Sequence, residues 1–113
     1  MSYTRIPITN LLEQLDSQIA KKLIVVIAKG VISSLKEESL TILDSEQLIF
    51  NLDVLIYCKT HIQDEELYNL ISYGMELEDI ENLIKRSEVL VSAYNEIEQR
   101  LSKISYKSQG FTE

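Results

Sequence analysis

The sequence is poor in the residues that build turns, cross-links and metal sites. Three glycines and one proline leave little for tight turns, so long helices are the economical use of the chain. A single cysteine, Cys58, excludes an intramolecular disulfide, and with it the cross-linked frameworks of small secreted domains. A single histidine, His61, leaves no second Cys/His pair for a four-ligand structural zinc. There is no glycine-rich phosphate loop, no serine nucleophile elbow and no HExxH. The longest apolar run, "LIVVIA" from Leu23 to Ala28, stops at Lys29, far short of the ~20 residues that span a bilayer. The first stretch, "MSYTRIPITNLLEQLDSQ", carries one base, then acids and amides, with no apolar segment of signal-peptide length. These absences lead to the expectation of a cytoplasmic protein with no membrane partner and no enzyme chemistry.

Positive charge is scarce as well. Eleven bases stand against 18 acids, a net charge of −7. Phosphate backbones are bound by basic side chains that displace counterions, so nucleic acid is not an expected partner. The same charge attracts a basic protein at long range. With 113 residues, 45% of them hydrophobic, the chain has the size of one domain and enough apolar surface for a core without staples.

What is present is helical periodicity. Residues 1–9 read as an extended lead-in, with Pro7 discouraging helix before it. Asn10 and Glu13 have capping-box spacing. From there Leu12, Leu15, Ile19, Leu23, Ile27 and Val31 recur at three- and four-residue steps, with Val26 and Leu35 widening the stripe. This predicts a long first helix through the centre, with Gly30 kept for close approach of a neighbour. Leu40, Ile42 and Leu43 predict a short extended piece. Asp44 and Gln47 then open a second helix with Leu48, Ile49, Leu52, Leu55 and Ile56 inward. Asp64, Glu65 and Glu66 start a third, with Leu67, Leu70 and Ile71 buried and Gly74 as its stop.

The stretch "YGMELEDIENLI", Tyr73 to Ile84, gathers Glu76, Glu78, Asp79 and Glu81. Three readings compete: a metal or catalytic carboxylate cluster, a surface for a basic partner, and a well-started helix. Acids in a first turn offset the helix dipole by roughly 0.3–1 kcal/mol each. Carboxylate-bridged di-metal bundles need a Glu-x-x-His motif that the chain lacks, and calcium loops need alternating ligands around a central glycine. The helix start is favoured, with Leu77, Ile80, Leu83 and Ile84 inward, and the partner surface stays open with Tyr73 beside it. "CKTH" offers one half of a zinc site, Cys58 and His61, or a Cys–His nucleophilic pair without an oxyanion-binding turn. A half-buried thiol and a histidine at a helix C-terminus is the plainer account. Six of the eight aromatics are tyrosine. Tyr68, Tyr73, Tyr94 and Tyr106 suit an interface or the rim of a core.

The last helix, from Ser87 to Ser105, sets Leu90, Tyr94, Ile97, Leu101 and Ile104 at alternating four- and three-residue steps, an a/d seam of about two and a half heptads. It can line a two-fold dimer seam or pack on the first helix, and a small domain needs the stripe for its own core. Residues 106–113 read as a frayed tail.

"GVISSLKEESLTILDSEQLIF" followed by "YGMELEDIENLI" resembles a family of small bacterial proteins of about this length, classed as a domain of unknown function. The resemblance covers residues 23–84, and its marker is Gly74-x-Glu76-Leu77-Glu78-Asp79. It implies a small helical cytoplasmic protein and supplies no cofactor and no site residues. Some families of this kind act as immunity or antitoxin proteins, by analogy only.

The expectation is an all-α bundle of four to five helices over residues 1–113, with long first and last helices. Its expected role is that of a non-enzymatic protein-interaction module with no cofactor. The alternatives are an immunity or antitoxin-type inhibitor of a basic toxin or nuclease, and a metal-binding protein using Cys58 and His61.

Overall fold

Local capping decides where most of the helices begin. In the computed structural model, which describes residues 8–84 and 87–104, α1 is a short helix, Ile8–Leu12. Residues 13–16 turn, and Asp16 opens α2, Ser17–Lys36, its Oδ1 accepting from the amides of Gln18 at 2.8 Å and Ile19 at 3.2 Å. Thr41 caps α3, Ile42–Leu48, in a reciprocal box with Asp44. Asn51 caps α4, Leu52–Tyr57, which runs on without a break into a π-turn, Cys58–Ile62. Asp64 caps α5, Glu65–Met75. Then come α6, Leu77–Ile84, and α7, Ser87–Ser102. α1 and α3 are short; the other five helices, α2, α4 with its π-turn, α5, α6 and α7, form the body of the fold, and no strand occurs among the described residues.

Several boundaries differ from the sequence expectations. The first helix is the short α1, and the long ones are α2 and α7. Of the expected lead-in, Ile8 and Thr9 are helical, while residues 1–7, the tail 106–113 and Tyr106 lie outside the described residues. Asn10 is inside α1 and caps nothing. The expected cap at Asp44 moves to Thr41, because the Thr hydroxyl and the Asp carboxylate each bond the other's amide. The expected second helix is two, since Asn51 ends one and starts the next: its Nδ2 donates to the Glu46 carbonyl at 2.8 Å and its Oδ1 accepts from Val54 N at 3.0 Å. The inward stripe turns with them. Ile49, Phe50, Val54, Tyr57 and Cys58 are buried, whereas Leu48, Leu52 and Ile56 are exposed.

The buried face of α2 is likewise rotated from the expected one. Ala20, Ile24, Val25, Ala28, Val31, Ile32 and Leu35 are buried, while Ile19 and Val26 are exposed. α2 is apolar on more than one side, and the side that packs is offset by one residue, about 100°, from the expected stripe. Gly30 is solvent-facing, and a Cβ there would meet nothing. The close approach falls instead at Gly74, inside α5, where a Cβ would overlap the Phe50 ring.

α7 lies along α2 and also packs on α5 and α6. Ala93, Tyr94, Ile97, Leu101 and Ile104 are buried and Leu90 is half-buried, all within one continuous core. The expected a/d stripe is therefore taken up inside the chain. Two polar links tie elements across this core. Lys21, buried in α2, forms an ion pair with Asp64. The Tyr57 hydroxyl donates to the Leu12 carbonyl at 2.9 Å, holding α1 on α4.

α2 ends in a paired-bond motif. The Ser39 amide donates to the Ser34 carbonyl at 2.9 Å and that of Glu38 to the Leu35 carbonyl at 3.1 Å. Glycine is the usual occupant of the left-handed position in this motif. Here it is Glu38, at φ 63°, a conformation that costs a side chain roughly 1–2 kcal/mol.

Candidate functional site

The acidic stretch singled out in the sequence straddles the α5–α6 junction. Glu76 is the C-cap of α5, its amide donating to the Tyr73 carbonyl at 3.0 Å, while its own carbonyl accepts from Ile80 at 3.1 Å and starts α6. Glu78 and Asp79 fill the first turn of α6, where carboxylates face the positive end of the helix. Leu77 is buried beneath them and Ile80 half-buried. The side chains of Leu83 and Ile84 lie outside the described ones.

Of the five predicted residues Glu76 stays at the helix junction, and folding divides the other four among three surroundings. Glu78 and Asp79 turn towards α3 and meet Glu46. Burial, then a side-chain hydrogen bond with Glu78, then the charges of Glu78 and Asp79 raise the pKa of Glu46. Glu81 lies beside Tyr94, whose hydroxyl is pushed up by burial first and by the charges of Glu81 and Glu38 after it. Tyr73 faces α7, with the Arg100 guanidinium 4.7 Å above its ring. Glu96 bonds the same Arg100 at 3.0 Å.

Three of the surrounding residues were missed in the sequence. Glu46 belongs to a helix about thirty residues upstream of α6, and no local signal announces that the two pack. Glu38 carried a readable signal, as the residue just past the α2 C-cap. Val91 falls between seam positions of α7 and remains exposed.

The Cys58–His61 pair is parted by its surroundings. Cys58 is wholly buried, and burial followed by the charge of Asp64 pushes its thiol up to about 12, so the thiolate that binds metal or attacks a substrate is not formed near neutrality. His61 is exposed and stacked on Tyr57, ring centroids 4.7 Å apart, with Nδ1 2.9 Å from the Thr60 hydroxyl. Among the described residues no group of three or more His, Cys, Asp and Glu side chains is placed to hold a metal ion. No helix among them is long and apolar enough to cross a membrane.

An all-α chain with the Gly74–Asp79 segment at a helix junction agrees with the family resemblance in the sequence. A family model described as "Protein of unknown function (DUF3969)" matches residues 15–111, most of the chain. The chain belongs to the DUF3969 family. No curated protein and no solved structure matches it. Membership in DUF3969 thus brings no assigned site, and the functional reading rests on the residues themselves.

Proposed function

We propose that this DUF3969 protein is a non-enzymatic interaction module of the cytoplasm, which binds a basic protein through the outer face of α6 and the α3 carboxylate beside it. The position of Glu46 carries the reading. Dipole compensation accounts for Glu78 and Asp79 at the start of α6. It does not account for Glu46, which sits in the last turn of α3, where negative charge is unfavourable, and against two further carboxylates. Like charges held together in the free protein are relieved when a cationic surface covers them. An inhibitor of a basic toxin or nuclease, of the immunity or antitoxin kind, is the narrower form of this proposal. A metal role for Cys58 and His61 draws no support from a buried, high-pKa thiol. Homodimerisation through Leu90, Tyr94, Ile97, Leu101 and Ile104 draws none from side chains already packed in their own core.

The test is a pull-down of tagged protein from its native cells at low and moderate salt, read by mass spectrometry. One stoichiometric basic protein is expected, lost when Glu46, Glu78 and Glu81 are changed to Lys and weakened as salt screens charge beyond ~8–10 Å. A partner retained by the charge-reversed protein, or recovery of the bait alone, would overturn the proposal.

A further inference from the structure

A groove of about 430 Å³ opens between the C-terminal end of α2, the start of α3, α6 and the first turns of α7. Its floor is part of the core, formed by the buried Leu35, Ile42 and Tyr94. Its walls hold two apolar side chains that folding leaves in water, Leu43 at 58% and Val91 at 44% exposure. Its rim is acidic. Glu38 and Glu81 line it, and neither forms an ion pair among the described residues. The lysine that lines the same groove is already engaged: Lys36 Nζ lies 2.9 Å from both Glu98 Oε1 and Asn95 Oδ1.

We infer that this groove docks a basic–apolar segment of a partner protein, with one large apolar side chain seated between Leu43 and Val91 and a lysine or arginine on either side of it meeting Glu38 and Glu81. The inference rests on the interaction reading above and adds what an acidic face alone does not supply. Exposed charge pairs steer association but hold weakly, whereas an apolar anchor buried in a pocket carries most of an interface's affinity. The groove's volume falls in the range of about 300–1,000 Å³ common to ligand pockets. Its rim repels an acidic segment. Glu81 stands one turn from Glu78 on α6, so the groove and the acidic face adjoin along one helix. Glu38 adds a further argument: a glycine would close α2 without strain, yet the position holds a carboxylate on the groove's edge.

A library of random peptides displayed on phage, selected against the full chain, tests this directly. The enriched peptides should share an apolar residue flanked by Lys or Arg. Synthetic copies, followed by fluorescence anisotropy, should lose roughly tenfold or more in affinity to the Leu43→Ser, Val91→Ser double variant. Glu38→Gly should lose roughly three- to tenfold while its thermal midpoint rises, and a merely structural role for Glu38 could not move the two in opposite directions. Enriched peptides that are acidic, or that bind all these variants as they bind the native chain, would overturn the inference. Peptides released by Glu46→Lys and Glu78→Lys but not by the groove variants would overturn it too, while leaving the acidic-face reading standing. A selection that enriches nothing would overturn both.

Discussion

The corner where α2, α4 and α5 meet and the face shared by α3, α6 and α7 are built on opposite terms. At the corner, charge is paired and volume is filled. Lys21 bridges to Asp64, Asp64 caps α5, the Tyr57 hydroxyl is bonded to the Leu12 carbonyl, and the Phe50 ring lies against Gly74, where a Cβ would overlap it. On the other face, Glu46, Glu78 and Asp79 crowd one another, Glu38 holds a left-handed backbone, and Leu43 and Val91 stand in water. Exposed apolar side chains and a left-handed residue occur on the corner's side too, at Ile19, Val26, Leu52, Ile56 and Gln63, so what sets the other face apart is its crowded acids beside a groove. Residues that burden the free fold are where binding is to be sought, because a partner can repay strain and repulsion that the isolated chain only bears.

The contrast can be broken most severely at Phe50. Phe50→Ala is expected to destabilise the domain by about 3–5 kcal/mol, since the ring is fully buried and its neighbours cannot all collapse. A shifted urea midpoint would measure it. A loss under 1 kcal/mol would mean that the corner is loosely packed. Gly74→Ala attacks the same contact from the other side and should cost about 1–3 kcal/mol through overpacking.

Asp64 sharpens the contrast through pH. Burial opposes its charge, but the Lys21 ammonium and the amides of Leu67 and Glu66 outweigh burial and hold its pKa below the ordinary 3.8. A folded value below the unfolded one means the stabilisation is present above 3.8 and is lost as pH falls through the folded value. Acid unfolding followed by circular dichroism should therefore be steeper between 3.8 and the folded value in the native chain than in Asp64→Asn, which should lose about 1–3 kcal/mol at neutral pH. Equal acid slopes in the two proteins would remove the ion pair from the account.

Gly30 supplies the opposite sign from Gly74. With open space around it, Gly30→Ala should stabilise by about 0.5–1 kcal/mol, read as a rise in midpoint without a change of slope. The smallest effect belongs to the acidic face. Glu46→Gln should gain only ~0.2–0.5 kcal/mol at neutral pH, since solvent screens a half-exposed cluster. The pKa of Glu46 is raised in the fold, so its share of stability is present at low pH and is lost as pH rises through the folded value. Mild acidification should accordingly stabilise the native chain slightly more than Glu46→Gln. Identical pH profiles for the two would mean that the carboxylates do not feel one another.

By itself the sequence determined what acts within a turn or two. The start of α5 around Asp64, the acids in the first turns of α5 and α6, and the inward Leu67, Leu70 and Ile71 were legible because dipole effects and helical period are local. Asp64 itself, expected as a first-turn acid, is the cap. The α7 stripe was legible because no break interrupts its period. Tertiary structure decided which side of α2 is inside, since that helix is apolar on more than one side. It also decided that Gly74, not Gly30, is the packed glycine, that Glu46 joins Glu78, and that a groove opens beside Tyr94. Those outcomes depend on how volumes far apart in the chain fit together, and local periodicity carries no record of that fit.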